Sequence, residues 1–298
     1  MLNFKNRGIN IDSNTKCALK CPKCIRENYK KVNKKIPGRE MPLTDFKKLI
    51  NYFKTITFCG QISDPTSYSN LINTLKICKI KNLACWIHTA SSHRKINWYE
   101  EAFNANPNAI WIFGMDGLPN ESHKYRINQK GEYLFEIMKL AIKKDIQVRW
   151  QYIICKYNEN HIEIAKNLAI DNNIIFEPIY STRWDNNDIY KPSNYIKRSK
   201  ASEKIYPRCI LAKQPLAYTA TGYLIPCCYV DKYYSSIPPQ IKLLYKEHLK
   251  LENNKDVKSI INSKEWIEFF KTLRNNPPTI CKYICNKPFT IKEAMTVF

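Results

Sequence analysis

"GINIDSNTKCALKCPKC" occupies residues 8–24: a short alternating apolar run, a polar turn, and then cysteines at 17, 21 and 24. The first part reads as a strand over 8–13, and the cysteines fall in the loop leaving its carboxyl end. Spacings of three and then two intervening residues let one loop present all three thiols to a common centre. Structural zinc normally takes four protein ligands, and three thiolates with no nearby histidine are an unusual catalytic zinc set. Soft thiolates also suit iron–sulfur clusters, and three of them on a [4Fe-4S] cube leave one iron open to a substrate or cofactor.

At 298 residues and 44% hydrophobic content the chain is long enough to bury a sizeable core. No apolar run approaches the ~18 residues of a membrane span, and the start "MLNFKNRGINIDS" lacks the apolar region of a signal peptide. A cytoplasmic protein with no membrane partner is therefore expected, and reducing pools there keep thiols free. The 12 cysteines are then metal ligands, catalytic groups or small core residues. The net charge is +22, and of 48 basic residues only 10 are Arg, leaving 38 scattered Lys. With only 7 Gly and abundant Asn and Ile, this is the usage of an AT-rich coding sequence with a solvated basic surface. An attraction for an anionic partner is the other reading.

Over the first ~180 residues, strand, loop and helix alternate six times. Strands are predicted at 8–13, 55–59, 83–89, 109–115, 146–154 and 173–180, with helices at 42–54, 67–79, 97–105, 132–144 and 159–170. Such units predict a parallel sheet with helices outside, open or curled into a barrel, and reactive groups in the loops at the carboxyl ends of its strands. Those loops are the cysteine loop, "CGQISDPT" (59–66), "HTASSHR" (88–94), "MDGLPNESHKYR" (115–126), "CKYN" (155–158) and "YSTRW" (180–184). After ~185 the pattern breaks. A polar connection (185–204) leads to a hairpin over 215–228 with Gly222 in its turn, to helical stretches near 240–252 and 263–274, and to "PPTICKYICNK" (277–287).

The Cys-x3-Cys-x2-Cys spacing after the first strand of a repeating β/α core resembles the radical S-adenosylmethionine (SAM) enzymes. The resemblance implies a [4Fe-4S] cluster on Cys17, Cys21 and Cys24 whose open iron chelates SAM. It also implies reductive cleavage of SAM to a 5'-deoxyadenosyl radical that abstracts hydrogen from a substrate. The fold implied is α/β, a partial (β/α)6 barrel. In the second loop, "CGQISDPT" is similar in place to the Gly-Gly-Glu-Pro-like stretch that holds the SAM amino group, but it lacks the paired glycines. Gln61 and Asp64, with Ser63 beside them, are the candidates for that contact; an Asp side-chain turn is the structural alternative for Asp64. Ser91 and Ser92 stand where the third strand delivers polar groups to the cofactor. "GMDGLPNESHKYR" is similar to the fourth-strand segment of peptide-modifying branches. By that match Asp116 faces ribose or substrate, and Arg126 pairs with the SAM carboxylate, where a planar bidentate donor suits; a surface salt bridge is the alternative for Arg126. Lys23 departs from the pattern, since the residue before the third cysteine is usually an aromatic packed on adenine.

Cys209, Gly222 and Cys227 fit the Cys-x(9 to 15)-Gly-x4-Cys element of SPASM and twitch extensions. With Cys281 and Cys285 they imply one auxiliary [4Fe-4S] cluster of the twitch type in a small α+β domain. The division expected is 1–184 core, 185–204 connection and 205–298 auxiliary domain. Tetrahedral zinc is the alternative for these four thiols. Cys78 and Cys85 are expected to pack as small hydrophobes. Cys59 and Cys155 lie at strand ends, and Cys228 is adjacent to Cys227. Asp116, Glu177, Tyr180 and Asp185 are acid/base candidates near the rim, and none of the 5 histidines forms a metal-spaced pair.

The function expected is a radical SAM oxidoreductase, of dehydrogenase or peptide-modifying type, acting on a peptide or small anionic metabolite. It would take electrons from an external donor of flavodoxin or ferredoxin type. Nucleic acid is not expected as a partner. The competing reading is a zinc-containing module that binds nucleic acid or a protein partner, with Trp150, Tyr152 and Trp184 as rings to stack on bases.

Overall fold

Each predicted strand forms within its apolar run in the computed structural model, which describes residues 4, 7–197, 200–212, 214–231 and 237–288. The strands are β1 (Gly8–Ile11), β2 (Thr55–Phe58), β3 (Ala84–Thr89), β4 (Ile110–Gly114), β5 (Val148–Ile153), β6 (Ile175–Ile179), β7 (Leu216–Tyr218) and β8 (Leu224–Ile225). They share one sheet in the order β6-β5-β4-β3-β2-β1-β7-β8. β3 through β6 pair in parallel, and β7 and β8 form an antiparallel hairpin. The sheet is open, with β6 and β8 at its edges, so the barrel is partial. No helix among the described residues is long and apolar enough to cross a membrane.

Two compact units divide the chain: Asn14–Ile36 with Thr57–Lys197, and Met1–Ser13 with Pro37–Ile56 and Arg198–Phe298. In the first, α1 (Ile25–Lys31), α3 (Leu71–Ile80), α4 (Ile96–Ala105), α5 (Gly131–Lys143) and α6 (Ile162–Asp171) alternate with strands. α5 buries Leu134, Ile137, Met138 and Ala141, the 3–4 spacing of one helix face. α1 was not foreseen, because "IRENYKK" carries no apolar stripe. It buries Arg26 instead. α3 begins at Leu71 rather than 67 because Pro65–Ser67 forms a 3-10 turn.

In β3 and β5 alternate residues are buried. The buried row meets the helices: Trp111 lies 5.0 Å from Phe103 and Trp150 lies 5.7 Å from Phe135 between ring centres, and Trp150 also packs 5.6 Å from Phe176 on β6. The opposite row holds Trp86, His88, Arg149, Gln151 and Glu177, all half-buried. Parallel strands covered by apolar groups on both faces lose such alternation, so this face is polar by construction. Four helices end on a left-handed residue that is not glycine: Asn33, Asn82, Asp145 and Asn173, with φ of 50°, 49°, 58° and 56°. Each is the second residue past its helix, where glycine is favoured and Asn and Asp are the tolerated substitutes.

In the second unit, β7 lies parallel to β1 with Ile9 opposite Leu216 and Ile11 opposite Tyr218, a pairing that periodicity did not foresee. Gly222 turns the β7–β8 hairpin at φ +88°. α2 (Leu43–Ile50) sits in this unit, and its buried Asp45 accepts a hydrogen bond from the Tyr218 hydroxyl at 2.8 Å. α10 (Lys264–Asn275) buries Trp266, Phe269, Phe270 and Leu273 and is capped by Ser263. The helical stretch expected over 240–252 is shorter: α8 (Pro239–Lys242) is followed by three separate 3-10 turns. α7 (Arg208–Leu211), α9 (Val257–Ile261) and α11 (Thr279–Ile284) complete the unit.

Candidate functional site

The cysteine loop is held from inside by Arg26, whose guanidinium is 4% exposed and donates to the carbonyls of Cys17 and Leu19 at 2.7 and 2.6 Å. Its start is tied to the second loop, since Asp64 N–H donates to Lys16 O at 2.8 Å and Asn14 Nδ2 to Asp64 O at 3.1 Å. Its middle is tied to the fourth, since Lys20 N–H donates to Ile127 O at 3.0 Å and Asn128 Nδ2 to Ala18 O at 3.2 Å. Cys21 and Cys24 close a turn through Cys24 N–H to Cys21 O at 3.0 Å, and Cys24 then precedes α1.

All three thiols are half-buried. Burial pushes the Cys17 thiol up to about 12, with Asp64 adding to the rise, while the Leu19 N–H donates to its sulfur at 3.4 Å. Burial also raises Cys21, opposed by the charge of Arg126. Thiolates are thus costly here without a cation to neutralise them, which is the condition a metal–sulfur cluster meets. The donor set fits an iron–sulfur cluster: three soft ligands on one loop, with the Leu19 N–H directed at the Cys17 sulfur.

The candidates for holding SAM all lie in the same unit, on the loops after β2, β3 and β4. Asp64 is 4% exposed, and its carboxylate accepts from Thr66 N–H and Oγ1, from Thr89 Oγ1 and from Ala90 N–H, all at 2.5–3.0 Å. Both oxygens are therefore engaged in joining the loops after β2 and β3. Gln61 and Ser63 lie on the same turn, which Gly60 makes possible: a Cβ there would stand 2.3 Å from Ser63 O. Ser91 Oγ bonds His93 Nδ1 at 2.8 Å, and Ser92 Oγ accepts from Lys130 N–H at 2.8 Å at the start of α5.

Asp116 and Arg126 meet each other. Arg126 Nε lies 2.8 Å from Asp116 Oδ2, with the carboxylate fully buried and the guanidinium 13% exposed. Burial opposes the charge of Arg126, and Asp116 and Cys21 more than offset it. The surface salt bridge is thus replaced by a buried pair beside Cys21. Gly114 leaves room for it, since a Cβ there would stand 2.7 Å from Arg126 Nη2. Asp116 Oδ1 also accepts Ile153 N–H at 2.9 Å, so the carboxylate is anchored both from β5 and from Arg126 in the loop after β4.

Sequence reasoning missed the aromatic cover. Tyr125, Trp184, Ile153 and Cys155 form a buried cluster against which Cys21, Tyr157 and Tyr190 pack, with Tyr125 lying 6.0 Å from Trp184 and 5.0 Å from Tyr190. Lys23, in place of an aromatic, reaches Asp185 and Asp188, both at 2.7 Å. Gln129, 4% exposed, also escaped notice; its amide donates to Ala90 O and Gly114 O. No motif signals either arrangement, because the partners are far apart in the chain.

Below the rim, the half-buried face carries His88 in one row with Ile112, Arg149 and Ile175, and Gly114, Gln151 and Glu177 in the next. Arg149 and Glu177 form an ion pair, and the guanidinium lies 5.3 Å from the Trp86 ring centre. Tyr180 is 51% exposed and Asp185's side chain 82% exposed.

In the other unit, Cys209, Cys227, Cys281 and Cys285 line one cavity together with Pro207, Pro226, Phe269 and Ile284. Burial raises Cys209, Cys281 and Cys285, and the neighbouring thiols act on one another. Cys227 is raised first by its contact with Cys228. Gln214 Nε2 donates to Cys227 Sγ at 3.5 Å, and backbone groups of Tyr229 and Arg208 donate to Cys227 and Cys285. Four thiols with directed N–H donors in an apolar cavity fit a cluster as a donor set. Among the described residues, no group of three or more His, Cys, Asp or Glu is placed to hold a single metal ion. Cys78, Cys85 and Cys155 are buried.

No protein-family model and no curated protein matches the sequence. Solved structures do match the chain. SuiB from Streptococcus suis bound to S-adenosylmethionine aligns at a TM-score of 0.55 and 11% identity, over 93% of this chain and 77% of that one. SuiB bound to its precursor peptide SuiA aligns at 0.58 and 12%, over 94% and 77%. Native anSMEcpe with bound AdoMet and the Cp18Cys peptide aligns at 0.57 and 13%, over 88% and 81%. The fold is that of the radical SAM enzymes. In this chain the loop of Cys17, Cys21 and Cys24 follows β1.

Proposed function

We propose that the chain is a radical SAM enzyme with one auxiliary [4Fe-4S] cluster, acting on a peptide or a small anionic metabolite. The observation that carries this reading is the loop of Cys17, Cys21 and Cys24 at the carboxyl end of β1, with Cys21 beside the buried Asp116–Arg126 pair. When bound, the cluster and SAM supply the electron and the 5'-deoxyadenosyl radical that abstracts hydrogen. The chain's own residues bind and orient. Cys17, Cys21 and Cys24 hold the cluster. Arg126, fixed by Asp116, offers its remaining N–H groups to the SAM carboxylate. Gln61 and Ser63 hold the SAM amino group, with Asp64 setting the turn that presents them, and Ser91 and Ser92 line the cofactor's other side. The aromatic cover around Tyr125 keeps water from Cys21, which protects a reactive radical.

In the other unit, Cys209, Cys227, Cys281 and Cys285 hold the auxiliary cluster, as an electron acceptor, a substrate anchor or a brace. An external flavodoxin- or ferredoxin-type protein supplies electrons. A peptide substrate is supported by the peptides bound in the SuiB and anSMEcpe structures, and by the net charge of +22, which favours an acidic one.

Anaerobic purification and SAM incubation test the reading. The expected product is a brown protein with about eight irons per chain, two four-iron clusters, that converts SAM to methionine and 5'-deoxyadenosine under a strong reductant. A colourless protein holding stoichiometric zinc and leaving SAM intact would overturn it.

A further inference from the structure

We infer that Arg7 is the counter-charge of the group held by Cys209, Cys227, Cys281 and Cys285 and sets its reduction potential, an inference that rests on the auxiliary-cluster reading. Arg7 is 5% exposed and precedes β1. Its Nη1 donates to the carbonyl of Cys209, and its guanidinium carbon lies 4.5 Å from the ring centre of Phe4. Phe4 is itself buried against Trp266 and Phe270, with ring centres at 5.9 and 5.6 Å. Arg7 Nε is buried and has no acceptor among the described residues. No carboxylate pairs with Arg7 among the described residues; the ionisable groups acting on it are the Cys209 thiol and the Tyr52 phenol.

A guanidinium sealed under an aromatic ring without an anion is strongly unfavourable, since buried charges are normally paired. The group able to become anionic that acts on it most is the thiol of Cys209, the residue whose carbonyl Arg7 holds. Four thiolates around a [4Fe-4S] core leave a net negative charge, and one-electron reduction makes it more negative. A fixed buried cation stabilises the reduced form more than the oxidised one. The chemistry of Arg7 and that of the cavity therefore complete each other: the cation lacks a carboxylate among the described residues, and a cluster in this largely apolar cavity meets Arg7 at Cys209, while Arg208 acts on Cys227 and Cys285.

The test uses the full chain with Cys17, Cys21 and Cys24 changed to Ala, so that only auxiliary iron remains. Its midpoint is read by the electron paramagnetic resonance signal during a reductive titration with dithionite. Loss of one buried charge is expected to shift the redox equilibrium on the order of tenfold, so that Arg7→Gln lowers the midpoint by ~59 mV for this one-electron couple. Arg7→Lys, which keeps the charge, is expected to stay near the parent. The metal-free chain gives a second reading: there Arg7→Gln removes an uncompensated charge and should raise Tm. Iron retained at an unchanged midpoint in Arg7→Gln would overturn the inference, as would iron lost equally from Arg7→Gln and Arg7→Lys. Iron lost from Arg7→Gln alone would support it. A parent chain that takes up no iron sinks the auxiliary-cluster reading itself, a result seen before any Arg7 variant is made.

Discussion

Asp116 and Arg126 illustrate how two residues chosen separately for the cofactor turn out to depend on each other. With the carboxylate fully buried and the guanidinium 13% exposed, removing one partner leaves a buried charge uncompensated, which typically costs about 3–5 kcal/mol. Asp116→Asn and Arg126→Gln should each lower the urea midpoint of the metal-free chain markedly, and the double variant should be more stable than the sum of the single losses implies. Additive losses would show that the pair is not coupled. His88 gives a pH signature of the same unit. Burial first, and then Arg149, lowers its pKa from 6.5 to about 4. The folded chain therefore keeps His88 neutral where the unfolded chain binds a proton, so this group makes stability fall as pH drops from 6.5 towards 4. Replacing it in His88→Gln should flatten the fall in urea midpoint across that window; parallel curves for the two proteins would refute the assignment.

At the scale of elements, β6 shows how an open sheet edge is managed. Ile179 O accepts Ile154 N–H, so residues 175, 177 and 179 turn their backbone groups toward β5 and residues 176 and 178 turn theirs outward. Pro178 thus falls where its missing N–H costs no ladder bond and offers nothing to a foreign strand. Pro178→Val should restore an edge donor and promote self-association, measured as light scattering over time at constant SAM cleavage. The same scale explains what was legible. The βα periods placed all six core strands because each alternates or runs apolar over four to six residues. α1 was missed because its buried side chain is Arg26, a residue whose role is to grip loop carbonyls.

The whole molecule carries its two cysteine sets in different compact units, and the unit with Cys209, Cys227, Cys281 and Cys285 is assembled from three stretches of chain. Iron bound there should be removable without disturbing the other site. Changing Cys281 and Cys285 to Ala is expected to remove about half of the iron while SAM cleavage stays measurable, as determined by iron assay and chromatography of 5'-deoxyadenosine; unaltered iron content would show the ligands to be misassigned. From the sequence by itself came the β/α order and the position of the three-cysteine loop, because each depends on local spacing and residue type; the grouping of Cys209, Cys227, Cys281 and Cys285 came from a family resemblance. Tertiary structure alone decided that β7 joins β1, that Asp64 engages both its oxygens between two loops, that Asp116 pairs with Arg126, and that Arg7 is sealed beside Cys209 with no carboxylate among the described residues. These contacts join residues from 10 positions apart, in Asp116–Arg126, to 207 apart, in Ile9–Leu216, and pairing over such distances follows from packing and from the cost of leaving buried charge unmatched, which no local period encodes.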